Sequence, residues 1–177
     1  MRLLLVFSFA ALFADAQKPV EEIVIETPFV TSPEQVVEAM LKLAAVKKGD
    51  VVYDLGCGDG RIVIAAAKQY GARGVGIDHN ADLIAQAREK ARQEGVESLV
   101  RFERGDIFDA DIHEATVVAI YLLPHINLKL RPKLLKDLKP GARVVSHEFG
   151  MGDWKPEKTA EIDGAKILLW TIPPPAR

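Results

Sequence analysis

Residues 51–68 read VVYDLGCGDGRIVIAAAK, and the fold is decided there. A short apolar run carries an acid, Asp54, near its end. Glycines then recur at 56, 58 and 60, and Arg61 opens a second apolar run. The first run predicts a strand over 51–55, and the second a buried helix over 61–69. A strand, a glycine bend and a helix in that order begin a β-α-β unit.

The same alternation continues outward on both sides. Upstream, Ser32-Pro33-Glu34-Gln35 reads as a helix start, with Ser32 as the cap, Pro33 at the first helical position and Gln35 able to close a capping box. Val36, Val37, Met40, Leu41 and Ala44 follow at helical spacing. Downstream, GVGID (74–78) is a second strand, Asn80 caps a helix over 81–94, and Gly95 stops it. Further strands are expected at 99–103, 116–121 and 142–148. A helical stretch to about Leu138, restarted at Pro132, precedes the last of them. Near the end, Asp163-Gly164 separates two β-prone runs, 158–162 and 166–172, which is a strong hairpin signal. The expected fold class is therefore α/β: a Rossmann-like seven-stranded sheet, mostly parallel, with a C-terminal antiparallel hairpin and helices on both faces.

The chain has 177 residues, enough for one ordinary core. Its formal net charge of −2 offers no global attraction to nucleic acid or an anionic membrane, so no nucleic-acid partner is expected. Cys57 is the only cysteine, and the four histidines are widely spaced, so no metal site is expected. Residues 1–16 differ from the rest: Arg2, an apolar run from Leu3 to Phe13 broken by Ser8, and Ala14-Asp15-Ala16 match a secretory signal peptide. That run is shorter than the roughly 20 residues a bilayer span needs. The expected organisation is a signal peptide over 1–16, a lead-in over 17–27 and one domain over 28–177. The signal reading implies export to a periplasmic or extracellular location, and the alternative is the cytoplasm. The mass of the mature N-terminus separates the two: a start near Gln17 fits export, and an intact Met1 rejects cleavage.

What the bend holds follows from what it lacks. A dinucleotide fingerprint wants G-x-G-x-x-G, but here the third glycine comes one residue early and Arg61 stands in its place. A phosphate loop wants G-x-x-x-x-G-K-[ST], which is absent. Asp54 disfavours a pyrophosphate and favours a cation or hydrogen-bond donors. Asp78, 22 residues after Gly56, can accept hydrogen bonds from both hydroxyls of a ribose. Asp106, beside the apolar pair Ile107–Phe108, suits the amine and the flat face of an adenine. An ammonium, a ribose and an adenine without phosphate describe S-adenosylmethionine, itself a sulfonium cation.

These motifs, with the hairpin tail, resemble the class I S-adenosylmethionine-dependent methyltransferases over about residues 28–172. PFVTSPEQVVEAMLKLA, EATVVAIYLLPHINLKLRPKLLKDLKPGARVVSHEF and MGDWKP further resemble a group of protein-lysine methyltransferases, archaeal and mitochondrial, the latter acting on the ATP synthase c-subunit. The resemblance implies cofactor contacts at Asp54, Gly56, Gly58, Gly60, Asp78, Asp106 and Ile107. It also implies that Pro28-Phe29-Val30-Thr31 folds over the methionine end, with Phe29 and Thr31 as contacts. Tyr121-Leu122-Leu123-Pro124 stands where many amine methyltransferases carry Asn/Asp-Pro-Pro-aromatic; the missing polar residue and proline argue against adenine-N6 or glutamine-amide chemistry.

The implied reaction is in-line methyl transfer to a deprotonated lysine amine on a protein. Phe29, Tyr121, Phe149 and Trp154 are the aromatic candidates for an acceptor channel. Tyr121 is the candidate catalytic residue, able to accept a hydrogen bond from the amine. His147-Glu148 is either an acceptor-holding pair or a satisfied polar pair. A small-molecule acceptor and a non-catalytic binding module remain open, and Arg61 and Asp54 disfavour a nicotinamide oxidoreductase. A monomer is compatible with the sequence.

Overall fold

The computed structural model describes residues 30–174. The expected signal peptide, the lead-in over 17–27 and Phe29 lie outside those residues. Eleven elements follow in the described chain: α1 (Glu34–Leu43), β1 (Val51–Leu55), α2 (Arg61–Tyr70), β2 (Arg73–Asp78), α3 (Ala81–Gln93), β3 (Val100–Arg104), β4 (Val117–Ile120), α4 (Pro124–Asp137), β5 (Arg143–His147), β6 (Lys158–Ile162) and β7 (Ala165–Thr171). The strands form one seven-stranded sheet in the order β3-β2-β1-β4-β5-β7-β6. β1 to β5 pair in parallel, and β7 pairs antiparallel with both β5 and β6.

The central strands are mainly apolar because both faces of the sheet are covered. Val52, Val117, Ala119, Val145 and Leu169 point to one face and pack with α1, α2 and α3. Val51, Tyr53, Leu55, Val118, Ile120 and Trp170 point to the other, where Leu130 and Leu134 of α4 and the stretch from Ile107 to Ala115 cover them. The β6–β7 hairpin turns on Asp163 and Gly164, with φ of 50° and 80°. Two consecutive left-handed residues match a type I′ turn, the geometry the Asp-Gly pair predicts.

Two local expectations give way. Pro132 does not restart a helix: it lies within the single helix α4. Its missing N–H leaves the carbonyl four residues back at Leu128, and Leu128 is exposed, so solvent can take that acceptor. Ser32 does not cap α1: Pro33 is the cap residue, and no side chain caps the helix.

At the opposite end of the sheet from the glycine bend, buried Asp50 ties three segments together. It accepts from Thr116 Oγ1 at 2.7 Å, from Lys47 N at 2.9 Å and from the Arg143 guanidinium. Arg143 in turn donates to the carbonyls of Ala44 and Ala45. Asp50→Ala would leave the half-buried Arg143 guanidinium without its carboxylate and Lys47 N without its acceptor, which should cost about 1–3 kcal/mol. The urea midpoint should fall accordingly. Cofactor affinity should not change, because no part of the bend is touched.

Candidate functional site

Strand order reverses between β1 and β4, and open α/β sheets bind ligands at such a switch point, beyond the carboxyl ends of the strands. After β1 the chain crosses to α2 on one face; after β4 it crosses to α4 on the other. The two connections diverge and leave a crevice. Leu55 lies beside Ile120, and Ile120 beside Ser146, so Gly56, Tyr121 and His147 sit together at the ends of three adjacent strands.

The bend is strapped to the end of β2. The Ile77 carbonyl accepts from Gly56 N at 2.8 Å and from Cys57 N at 3.0 Å, and Gly58 N donates to Asp78 Oδ2 at 2.9 Å. Gly56, Gly58 and Gly60 have φ of 86°, 52° and 77°, a region open chiefly to glycine. Gly60 has a second constraint: a Cβ there would fall 2.5 Å from Phe102 Cε1 and 2.9 Å from Ala87 Cβ. Its small size therefore serves the packing of the bend against β3 and α3. A Cβ on Gly76 would likewise meet Phe102 and, at 2.8 Å, Cys57 Sγ. Cys57 is a buried packing residue here, and burial pushes its thiol well above the ordinary range.

Three carboxylates stand at the ends of the neighbouring strands β1, β2 and β3. Asp54 is 2 % exposed, and its nearest residues on the flanking strands are Gly76 and Ala119. Among the described residues no donor reaches its side chain. Burial first, then the charges of Asp78 and Asp59, push its pKa up to about 8. Asp78 Oδ2 takes Gly58 N and Oδ1 takes Asn80 N, each at 2.9 Å, so each oxygen keeps a lone pair for a further donor. Asp106 accepts from Phe108 N through Oδ1 at 2.8 Å, which leaves Oδ2 available; Ile107 and Phe108 beside it are half-buried.

The cations near the bend are engaged by Asp59. Arg61 forks onto it (Nε–Oδ1 2.9 Å, Nη2–Oδ2 2.8 Å), and Lys90 Nζ reaches Oδ2 at 3.0 Å. Burial alone would raise the Asp59 pKa, but the hydrogen bonds and charges of Arg61 and Lys90 together hold it below the ordinary value. The bend therefore offers carboxylates and backbone amides, while Arg61 and Lys90 are spent on a carboxylate. That donor set fits a cationic adenosyl compound better than a pyrophosphate.

On the acceptor side, Tyr121 lies against His147, with ring centroids 3.9 Å apart and an interplanar angle of 31°. Phe149 is stacked at 6.4 Å and 11°. The Phe149 carbonyl is fixed by Ser146 Oγ at 2.7 Å and by Asn127 Nδ2 at 3.1 Å. His147 is 5 % exposed, and Ser32 Oγ lies 2.8 Å from its Nδ1. Burial lowers the His147 pKa, so the ring is neutral at pH 7. Trp154 does not join this wall. It packs on Trp170 at 5.8 Å, and its carbonyl accepts from Trp170 Nε1. Thr31 is half-buried at the start of the described chain.

Ser32, His147 and the Asp59–Arg61–Lys90 cluster are the parts sequence reasoning missed or undervalued. Only His147 left a signal, a polar residue at the carboxyl end of β5 level with Tyr121.

Three comparisons with known proteins bear on this site. The family model of the ANTKMT methyltransferase domain matches residues 54–158. A protein-lysine N-methyltransferase of Saccharolobus islandicus (strain REY15A) is 45 % identical over 141 residues, which is 79 % of this chain and 88 % of that protein. The adenine nucleotide translocase lysine N-methyltransferase of Mus musculus is 36 % identical over 133 residues, 75 % of this chain and 57 % of that one. Among solved structures, an RNA methyltransferase from Salinibacter ruber in complex with S-adenosyl-L-homocysteine is 54 % identical. It covers 84 % of this chain and 97 % of its own, with a TM-score of 0.82.

Proposed function

We propose that this chain, which belongs to the ANTKMT methyltransferase domain family of S-adenosylmethionine-dependent methyltransferases, transfers methyl groups to lysine side chains of proteins. The observation that carries the lysine reading is the 45 % identity with the Saccharolobus protein-lysine N-methyltransferase across 88 % of its length. The wall of Tyr121, Phe149 and neutral His147 beside the bend is compatible with it.

When bound, S-adenosylmethionine supplies an electrophilic methyl group on a sulfonium. The residues of the chain supply binding and alignment. Asp78 accepts the ribose hydroxyls through the two lone pairs its backbone contacts leave unused. Asp106 and Ile107 take the adenine edge and face. Asp54 carries the charge that complements the cationic end, and Thr31, as the resemblance implies, contacts the methionine end. The glycine bend presents its backbone without side chains, as a closely held ligand requires.

The acceptor poses a protonation problem. A free lysine has a pKa of about 10.4 and is almost wholly cationic at neutral pH. Desolvation against Tyr121 and Phe149 lowers that value and frees the lone pair. Tyr121 Oη accepts a hydrogen bond from the amine and aims it, and alignment of this kind can supply several kcal/mol of the rate enhancement.

A second reading has one observation in its favour: the Salinibacter structure, 54 % identical, is described as an RNA methyltransferase. Against it stand Tyr121-Leu122-Leu123-Pro124 in place of a polar Asn/Asp-Pro-Pro-aromatic motif and a net charge of −2. A lysate incubated with radiolabelled S-adenosylmethionine and the purified chain separates the two. Label that survives ribonuclease and is recovered as methyl-lysine supports the protein acceptor. Label released by ribonuclease overturns it.

A further inference from the structure

The sequence at 32–35 has the makings of a capping box, yet the structure spends Ser32 elsewhere. α1 starts one residue later, with the Pro33 carbonyl accepting from Val36 N and Val37 N. The Ser32 hydroxyl instead lies 2.8 Å from His147 Nδ1, 115 residues away, and both residues are buried, at 4 % and 5 % exposure. The Ser32 carbonyl accepts from Arg61 Nη1 at 2.9 Å. The remaining nitrogens of that guanidinium grip Asp59 in the glycine bend. One residue therefore links the bend after β1 to the end of β5, across the end of β4 where Tyr121 stands.

His147 is well placed to pass this link on. Its ring lies 3.9 Å from Tyr121. The chain after it turns sharply: Phe149 N donates to the His147 carbonyl at 2.8 Å, and Glu148 is left-handed with φ of 66°. Glu148 is tied to Lys166 of β7 by backbone N–H donation at 2.7 Å and by acceptance through Oε2 at 3.1 Å. The backbone at His147 is thus fixed by the turn after it and by β7, and its ring is held by Ser32. A local preference overridden by a long-range contact is the kind of conflict found at functional sites.

We propose that Ser32 and His147 are positioning residues for methyl transfer. Held to the glycine bend through Arg61, Ser32 orients the His147 imidazole, and the imidazole fixes the ring of Tyr121 on the path of the acceptor amine. An imidazole suits this place because it packs on an aromatic face and shares a hydrogen bond with the Ser32 hydroxyl at once; phenylalanine could only pack. The proposal rests on the reading that the amine enters beside Tyr121.

The test compares Ser32→Ala, Ser32→Thr and His147→Phe with the unaltered chain. The readouts are melting temperature, calorimetric affinity for S-adenosylhomocysteine, and kcat and KM on a synthetic polypeptide carrying one lysine. Ser32→Ala and His147→Phe should lower kcat at least about tenfold, the scale of one misaligned contact. Affinity for S-adenosylhomocysteine and the KM for S-adenosylmethionine should stay within about twofold. Ser32→Thr, which keeps the hydroxyl, should recover most of the rate. A pair that merely satisfied two buried polar groups would show lower melting temperatures with kcat unchanged, and that result overturns the proposal. Cofactor affinity falling in step with kcat overturns it as well. If His147→Phe does not fold, Ser32→Ala and its threonine rescue decide alone. An unaltered chain that binds S-adenosylhomocysteine but methylates no lysine overturns the acceptor reading and this assignment with it. A chain that methylates lysine, with variants equal to it, overturns only the assignment.

Discussion

Asp78→Ala is expected to weaken binding of S-adenosylmethionine by at least about a hundredfold, the loss of two charge-assisted hydrogen bonds. The carboxylate has two jobs that cannot be separated. Its oxygens hold Gly58 N and Asn80 N and keep lone pairs for the ribose hydroxyls of the proposed ligand, so the shape of the bend and the grip on the ligand rest on the same atoms. Removing it leaves both backbone donors without their acceptor, and the melting temperature should drop by a few degrees. Asp78→Asn is not a rescue, because whichever oxygen becomes an amide then points N–H groups at a backbone donor. Calorimetric titration with S-adenosylhomocysteine reads the effect directly. A folded Asp78→Ala chain with unchanged affinity would remove Asp78 from the site.

Asp54→Asn should separate stability from binding, raising the first and removing the second. The Asp54 pKa is pushed up to about 8 by burial and by the charges of Asp78 and Asp59, against an ordinary value near 3.8. With the folded pKa above the unfolded one, the contribution of Asp54 to stability is fully present below about pH 4. It is lost as the pH climbs toward 8, because the unfolded chain ionises there while the folded chain resists. Asparagine does not ionise, so the variant should melt above the unaltered chain at pH 8, by several degrees, and the gap should close toward pH 4. Binding follows the opposite logic. A cationic ligand favours the carboxylate, so complex formation expels a proton from Asp54. Affinity for S-adenosylmethionine should climb with pH between 6 and 8, by at most about tenfold per unit, and level off above 8. In Asp54→Asn that climb should be absent and the affinity uniformly low. An unaltered chain with a flat profile from pH 6 to 8.5 would contradict a neutral Asp54 in the free protein.

The parts of the molecule that are legible in the sequence are those written locally. The bend of residues 56–60, the strand before it and the helix after it need only neighbours in the chain to be recognised. Asp163-Gly164 is legible for the same reason, since two left-handed residues in succession leave few choices but Asp-Gly or Asn-Gly. Asp54, Asp78 and Asp106 can be assembled because parallel strands place successive carboxyl ends side by side. Ser32 misleads because its partner lies on β5: a capping box describes what a serine can do locally, and a buried imidazole 115 residues away outcompetes the first turn. The resemblance implies a cofactor contact at Gly60, and its missing side chain also makes room for Phe102. Trp154 has the character of a channel residue, and Trp170 holds it elsewhere by ring contact and hydrogen bond. Each of these depends on a partner brought by the topology.

The most direct measurement of the account is tandem mass spectrometry after one incubation. The tube holds the chain, a trideuteromethyl form of S-adenosylmethionine, a polypeptide with a single lysine and a mixed RNA of matching concentration. The account predicts the heavy methyl on Nζ of that lysine and none on the RNA. Heavy methyl on a nucleotide, with the lysine unmodified, would contradict it.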